Sequence, residues 1–245
     1  MWPFERLESV DSTQREMQRR LASLIGPAGV WTTHQTAGVA SHGRLWKDSP
    51  DGLAWSVAWP AREGPVEAGA WPARLSLMAL EVIEALYPAA KDRLGVKWPN
   101  DVVLAGGKLC GVLVSKHRHK SQSWLVAGIG INLSWPVAPQ LDRPVADLRS
   151  LGVAADPAVI AARLCDAISL LWSRPIDLQW SSEFSRRDVM LGRQVAVVHP
   201  HSGEILHHGL HQGVDAQGRL LLFSEGRMVA VEIGELSLRS MEQVE

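Results

Sequence analysis

Apolar and polar positions alternate in short blocks along this chain, and the clearest set lies in its middle. Residues 102–104, 109–114 and 124–133 are three apolar runs, separated by Gly106-Gly107-Lys108 and by the basic stretch Lys116-His117-Arg118-His119-Lys120. Runs of that length bounded by turn residues predict antiparallel strands, with 116–120 as a solvated hairpin turn. Lys97-Trp98-Pro99-Asn100-Asp101 ahead of them reads as a turn. Two more runs, 29–33 and 53–59, predict strands nearer the N-terminus. Asp11-Ser12 offers an N-cap, and Met17, Leu21, Leu24 and Ile25 follow at helical spacing until Gly26-Pro27 stops the helix. Leu75, Met78, Leu80, Val82, Ile83 and Leu86 fit a helix over 67–86 packed across the sheet, with Pro72 near its first turn. Asp156-Pro157 supplies an N-cap and an N1 proline for a helix with Ile160, Leu164, Ala167, Ile168 and Leu171 on one face.

Near Leu191 the pattern changes. Residues 194–198, 204–210, 219–223 and 228–231 are short strand-like runs set apart by Ser202-Gly203, Asp215-Ala216-Gln217-Gly218 and Glu225-Gly226. That spacing predicts a small β-barrel of roughly 50 residues. A boundary between Arg186 and Leu191 gives two expected domains, 1–188 and 189–245.

Composition narrows the class. The 245 residues suffice for a full core, and a net charge of −1 provides no field that favours nucleic acid or a membrane. No apolar stretch has spanning length, and the N-terminus lacks a signal-peptide layout. Cys110 and Cys165 both sit in apolar settings, which points to a reducing compartment without structural disulfides. The expectation is a soluble cytoplasmic protein. Among the nine histidines, His207 and His208 fall on opposite faces of a strand. No cysteine or well-spaced carboxylate joins them with His199, His201 and His211, so no structural zinc site is expected. The eleven tryptophans, against one tyrosine and three phenylalanines, carry no functional reading.

Lys108 is the residue with the clearest chemical meaning. It stands beside glycines at the entry to an apolar strand, where a lysine is costly unless an anion meets it. Gly128 and Gly130 remove side chains where another backbone or a ligand must come close. Together these read as a sheet floor that receives a small anionic molecule, although Gly-Gly-Lys also suits an ordinary hairpin turn. Cys110 reads as a small packing residue, since no base stands beside it for thiol catalysis.

KWPNDV, followed by GGKLCGVLV and GIGIN, resembles the biotin protein ligase family in order and spacing, and the likeness runs over nearly the whole chain. The resemblance implies an α+β fold: a mixed, largely antiparallel sheet packed by helices, of the class II synthetase-like kind, followed by a small SH3-like β-barrel. Gly234-Glu235-Leu236-Ser237-Leu238-Arg239 is similar to the end of that barrel. It also implies activation of biotin by ATP and Mg2+ as biotinyl-5'-AMP, then transfer to one lysine of a biotin carboxyl carrier protein.

Roles follow from the same resemblance. Ser12, Thr13, Gln35, Gly38, Lys108, Gly111 and Gly128 are the expected biotin-binding residues. Arg44, Trp46, Lys97, Asn100, Asn132 and Arg239 are assigned to the nucleotide, with Trp46 packing on adenine and Asn132 reading its edge. Lys108, Arg44 and Asp101 are the expected catalytic residues, and Asp101 is also the candidate magnesium ligand. Taken from pattern alone, Asp101 could be a cap, Asn132 a strand-end hydrogen-bonding residue and Trp46 core. The basic 116–120 stretch could guide an acidic carrier.

Two departures from the family pattern stand out. Gln14 replaces the usual asparagine of the Asp-Ser-Thr-Asn turn. In the loop that normally reads Arg-Gly-Arg-Arg-Gly-Arg, the chain keeps Gly43 and Arg44 but has Val39, Ala40, Ser41 and His42. Arginines there bind carboxylate and phosphate bidentately and cover a hydrolysable anhydride. Each lost charge-assisted bond is worth roughly 1.5–3 kcal/mol, so a weaker cover over the intermediate is expected. The Asp-Ser-Thr turn by residue 11 leaves no room for a preceding DNA-binding helix-turn-helix, so no nucleic-acid partner is expected. A monomer or weak homodimer is expected. Lipoate or octanoate transfer, and a degenerate biotin-binding protein, are the alternative functions.

Overall fold

The computed structural model describes residues 2–41, 45–46, 51–61, 67–135, 144–173, 177, 179–233 and 236–241. Seven strands form the larger sheet: β1 (Phe4–Arg6), β2 (Ala28–Thr32), β3 (Leu53–Pro60), β4 (Leu94–Lys97), β5 (Asp101–Leu104), β6 (Gly107–His119) and β7 (Gln122–Ile131). Their order is β1-β2-β3-β7-β6-β5-β4. Only the β1–β2 pairing is parallel; every other neighbour is antiparallel.

Each face of this sheet is sealed by helices for a reason visible in the side chains. Helix α1 (Thr13–Arg20) is capped by Ser12, whose Oγ accepts from Arg15 N at 3.5 Å, and carries Glu16 in its first turn and Arg19 and Arg20 in its last. It lays Met17 and Leu21 on Val30, Ala58, Trp124 and Val126, closing one face. The other face meets α2 (Glu67–Leu86), which packs on β4, β5 and β6, and α3 (Pro157–Ser173), which packs on α2. Asp156 Oδ1 caps α3 by accepting from Ala158 N at 2.8 Å, with Pro157 at N1. Several tryptophans are packing residues at these seams. Trp2 lies against Trp172 (5.6 Å between centroids) and Trp59 against Trp71 (5.0 Å), tying the N-terminal segment, β3, α2 and α3 together.

The second sheet contains β8 (Gln194–Val198), β9 (Ile205–Val214), β10 (Leu220–Ser224), β11 (Arg227–Val231) and β12 (Ser237–Ser240), in the order β11-β10-β9-β8-β12 and antiparallel throughout. Register shifts at Val197/Val198 and Leu221/Leu222 add local twist to this small SH3-like sheet. Helix α4 (Trp180–Arg187) leads into it. Where α4 ends, Asp188 takes Met190 N on Oδ1 (2.9 Å) and His211 Nε2 on Oδ2 (3.1 Å), and both side chains are fully buried.

Several expectations shift. Helix α1 ends at Arg20, and Ile25 is fully exposed, so the apolar spacing overran the helix by one turn. Pro72 lies inside α2, beyond its first turn. The 116–120 stretch is not the hairpin turn. Lys116 to His119 pair with residues 122–125 of β7, and the chain reverses at Lys120-Ser121. No helix among the described residues is long and apolar enough to cross a membrane.

Candidate active site

On the α1 face of the larger sheet, between the start of α1 and strands β3, β7 and β6, lies a hollow of about 430 Å³ counting its open mouth. Ser12, Thr13 and Gln14 line one side; Val39, Ala40, Ser41 and Trp46 lie over it; Lys108 and Asn100 close the far side. The floor is the glycine-bearing stretch of three strands. A Cβ on Gly128 would lie 2.7 Å from Gln14 Oε1, and one on Gly111 2.7 Å from Lys108 Nζ. A Cβ on Gly130 would meet the Trp46 ring at 2.5 Å. These positions need glycine because functional side chains lie directly on the backbone.

Lys108 reaches the hollow through a β-bulge. In the β5–β6 pairing, Val102 faces Cys110 and Val103 faces Lys108, so one residue of β6 is extra. Leu109 and Cys110 consequently both point into the core, and Lys108 shares the α1 face with Gly111. Its side chain is 13% exposed and ion-paired with Asp101, which offsets the cost of holding the ammonium away from water. Its Nζ also lies 5.4 Å from the Trp46 ring centroid. The Lys108 backbone is held on both sides, donating to Pro144 O (3.0 Å) and accepting from Ala146 N (2.9 Å).

The opposite end is lined by acceptors. Thr13 N (2.9 Å) and Thr13 Oγ1 (3.3 Å) donate to Gln35 Oε1, and Ser56 Oγ donates to Thr13 Oγ1 at 2.8 Å. Gln14 Nε2 donates to Val126 O at 3.0 Å. A carbonyl can only accept, so this bond fixes the amide and leaves Oε1 toward Gly128 and Ser56. One end of the hollow thus offers a cation, and the other offers oxygen acceptors.

The predicted residues differ in where they lie. Ser12, Thr13, Gln35, Trp46, Asn100, Lys108, Gly111 and Gly128 all line the hollow, and Gly38 does not line it but holds Trp46, its carbonyl accepting from Trp46 N at 2.9 Å. Asp101 joins them through Lys108, whereas Lys97 closes β4 opposite Asp101 and does not line it. Asn132 departs from the expectation. It is 3% exposed and its Nδ2 donates to Lys108 O and Ala146 O, each at 3.1 Å, so the amide pins the 144–148 segment and the Lys108 backbone to the sheet. Arg239 lies on β12 opposite Ala196, away from the hollow. Arg44, with His42 and Gly43, lies outside the described residues. Val39 bridges Leu45, and Ser41 Oγ accepts from Asn100 Nδ2 at 3.4 Å.

Sequence reading missed Ser56, although it was legible as the single polar residue in the apolar run 53–59. Gly130, read with Gly128 as part of the floor, lies there under the Trp46 ring. Cys110 is wholly buried with its thiol pushed up to about 12 by desolvation, which suits packing and not nucleophilic chemistry. Among the described residues no three His, Cys, Asp or Glu side chains converge on a metal position. A single carboxylate, Asp101, suits a magnesium ion held mainly by phosphate oxygens.

Residues 6–132, more than half of the chain, match the model of the biotin/lipoate A/B protein ligase family. The chain belongs to that family. Within it, the chain is 34% identical to the biotin–[acetyl-CoA-carboxylase] ligase of Mycobacterium tuberculosis over 92% of its own length and 85% of that protein. It is 32% identical to the ligase of the same name from Paracoccus denitrificans, over 88% of this chain and 92% of that one. Bifunctional ligase/repressor BirA of Escherichia coli is 29% identical over 97% of this chain and 74% of that protein. Among solved structures, the biotin protein ligase from Aquifex aeolicus in complex with biotin and ATP has the same fold, with a TM-score of 0.78, 23% identity, and coverage of 98% of this chain and 100% of that one. The hollow and its lysine therefore belong to a biotin ligase fold.

Proposed function

We propose that this protein is an ATP-dependent ligase that activates biotin as biotinyl-5'-AMP and transfers it to a lysine of a biotin carboxyl carrier protein. The observation that carries the reading is the polarity of the hollow. Lys108 stands at one end, where a carboxylate would be held, and Gln14, Thr13 and Ser12 stand at the other, where a cyclic urea would donate its N–H groups. A lipoyl dithiolane ring has no N–H to give, so it forgoes these bonds, each worth about 0.5–1.5 kcal/mol.

In the first step a biotin carboxylate oxygen attacks the α-phosphorus of ATP, and the bond to pyrophosphate breaks. Carboxylate and triphosphate repel each other, so the Lys108 ammonium holds both and stabilises the charge that builds on the α-phosphate oxygens. Asp101 would hold magnesium, which would supply charge neutralisation for the phosphates. Asp101 orients Lys108 before substrate arrives and is released as the anions replace it. In the second step the carrier amine attacks the acyl carbon, AMP leaves, and Asp101 is placed to take the proton. Trp46 and Arg44 are assigned to the nucleotide, and Asn132 supports that side by holding the Lys108 backbone. The catalytic domain spans 1–188 and the SH3-like domain 189–245, and the protein works in the cytoplasm.

Mass spectrometry of a purified carrier domain, incubated with this protein, biotin and ATP, tests the reading. One biotinyl addition at a single lysine is expected; addition of a lipoyl group instead, or no pyrophosphate release, contradicts it. Because Val39 and Ser41 replace two covering arginines, the same reaction quenched before carrier is added should show much of the biotinyl-adenylate free in solution. Full retention on the protein would contradict that part.

A further inference from the structure

Gln14 can present its Oε1 to the hollow only while its amide nitrogen is anchored behind it. The anchor has two parts, Val126 O at 3.0 Å and Ser115 Oγ at 3.1 Å. Ser115 lies on β6, where Gly111, Leu113, Ser115 and His117 share one face by alternation. Gly111 and Leu113 line the hollow, and Ser115 and His117 continue the same row behind it.

Ser115 has one hydrogen and two acceptors within reach: His117 Nε2 at 2.8 Å and Val126 O at 3.4 Å. With the hydrogen on His117, Ser115 accepts from Gln14 and leaves Val126 O to Gln14 as well. With the hydrogen on Val126, Ser115 gives up the 2.8 Å bond to His117 for a longer one of 3.4 Å and its Oγ is no longer fixed by the ring. Partial burial lowers the His117 pKa below the usual histidine value, which favours a ring that can accept at Nε2.

We propose that Ser115 and His117 are positioning residues that lock the Gln14 amide with its oxygen facing the hollow, and thereby set the preference for a ring that donates N–H groups. The inference rests on the biotin reading above and concerns residues that touch no substrate. Gln14 is one methylene longer than the asparagine usual at its place, and this reach brings it to Ser115 and the main chain of β7.

Steady-state kinetics on the full chain test it. Ser115→Ala should raise the KM for biotin about fivefold to tenfold, with kcat and the KM for ATP within about twofold, because the lost bond acts on ring binding alone. Ser115→Thr, which keeps the hydroxyl, should restore the KM, and His117→Ala should raise it about twofold to threefold. Gln14→Ala should match or exceed Ser115→Ala, and the double variant should add nothing to Gln14→Ala. An unchanged biotin KM in Ser115→Ala, or strictly additive effects, overturns the proposal. A wild-type protein that uses ATP with another acid and not with biotin overturns the parent reading instead, so the two failures are distinguishable.

Discussion

Lys108→Ala should lower the rate of pyrophosphate release from biotin and ATP by about 10²–10³-fold at saturating substrate. The magnitude follows from position. The ammonium is 13% exposed and stands under Trp46, in a hollow with little competing solvent, so its interaction with developing charge is screened far less than at a surface. The substitution removes the one cation among the described residues that line the hollow. It also leaves Asp101 without its ion pair, next to two incoming anions. Lys108→Arg should recover only part of the rate, because its guanidinium is broader and the ring of Trp46 and the backbone of Gly111 leave little room. Continuous pyrophosphate detection checks this. A Lys108→Ala rate within about threefold of wild type would remove the lysine from the chemistry.

The second large effect concerns stability. Asp188→Ala should lower the thermal midpoint by about 10 °C, because it strands buried partners at the joint between the two sheets. The carboxylate holds Met190 N and His211 Nε2, and the ring is fixed in turn by Gly213 N donating to His211 Nδ1 at 2.8 Å. Both side chains are fully buried. Leaving the two buried donors, Met190 N and His211 Nε2, without an acceptor costs roughly 1–3 kcal/mol each, and a domain of this size loses about 2–4 °C per kcal/mol. Scanning calorimetry checks it, and a shift below about 2 °C would show that the link contributes little. The kinetic constants for biotin should be unchanged in protein that remains folded, since neither residue lines the hollow.

Much of this architecture was legible in the residues. The runs around 102–133 became β5, β6 and β7, although β6 runs on to His119 through most of the stretch read as a turn, and the helix spacings located α2 and α3. Short elements without a period escaped. Phe4–Arg6 is three residues long and gains its strand geometry only by pairing with β2, and Trp180–Arg187 is too brief to show a stripe. The end of β6 was read as a turn because Ser115, Lys116, His117 and Arg118 are polar on both faces, so alternation carried no apolar signal. The site was legible where glycines and Lys108 marked it. Its decisive detail was not, because a bulge at Leu109-Cys110 is a property of two strands' registers and not of one sequence. Asn132 shows the reverse case: a residue named for the ligand turns out to hold the backbone of the residue that meets it.

The central claim is that one ammonium at one end of the hollow and a row of oxygen acceptors at the other orient a single ligand. A crystal structure with biotin tests it most directly. The carboxylate should lie about 3 Å from Lys108 Nζ, with a ring nitrogen at a similar distance from Gln14 Oε1. Biotin bound with its ring toward Lys108, or seated in the larger, more open depression beside Arg149 and Leu133, would contradict the account.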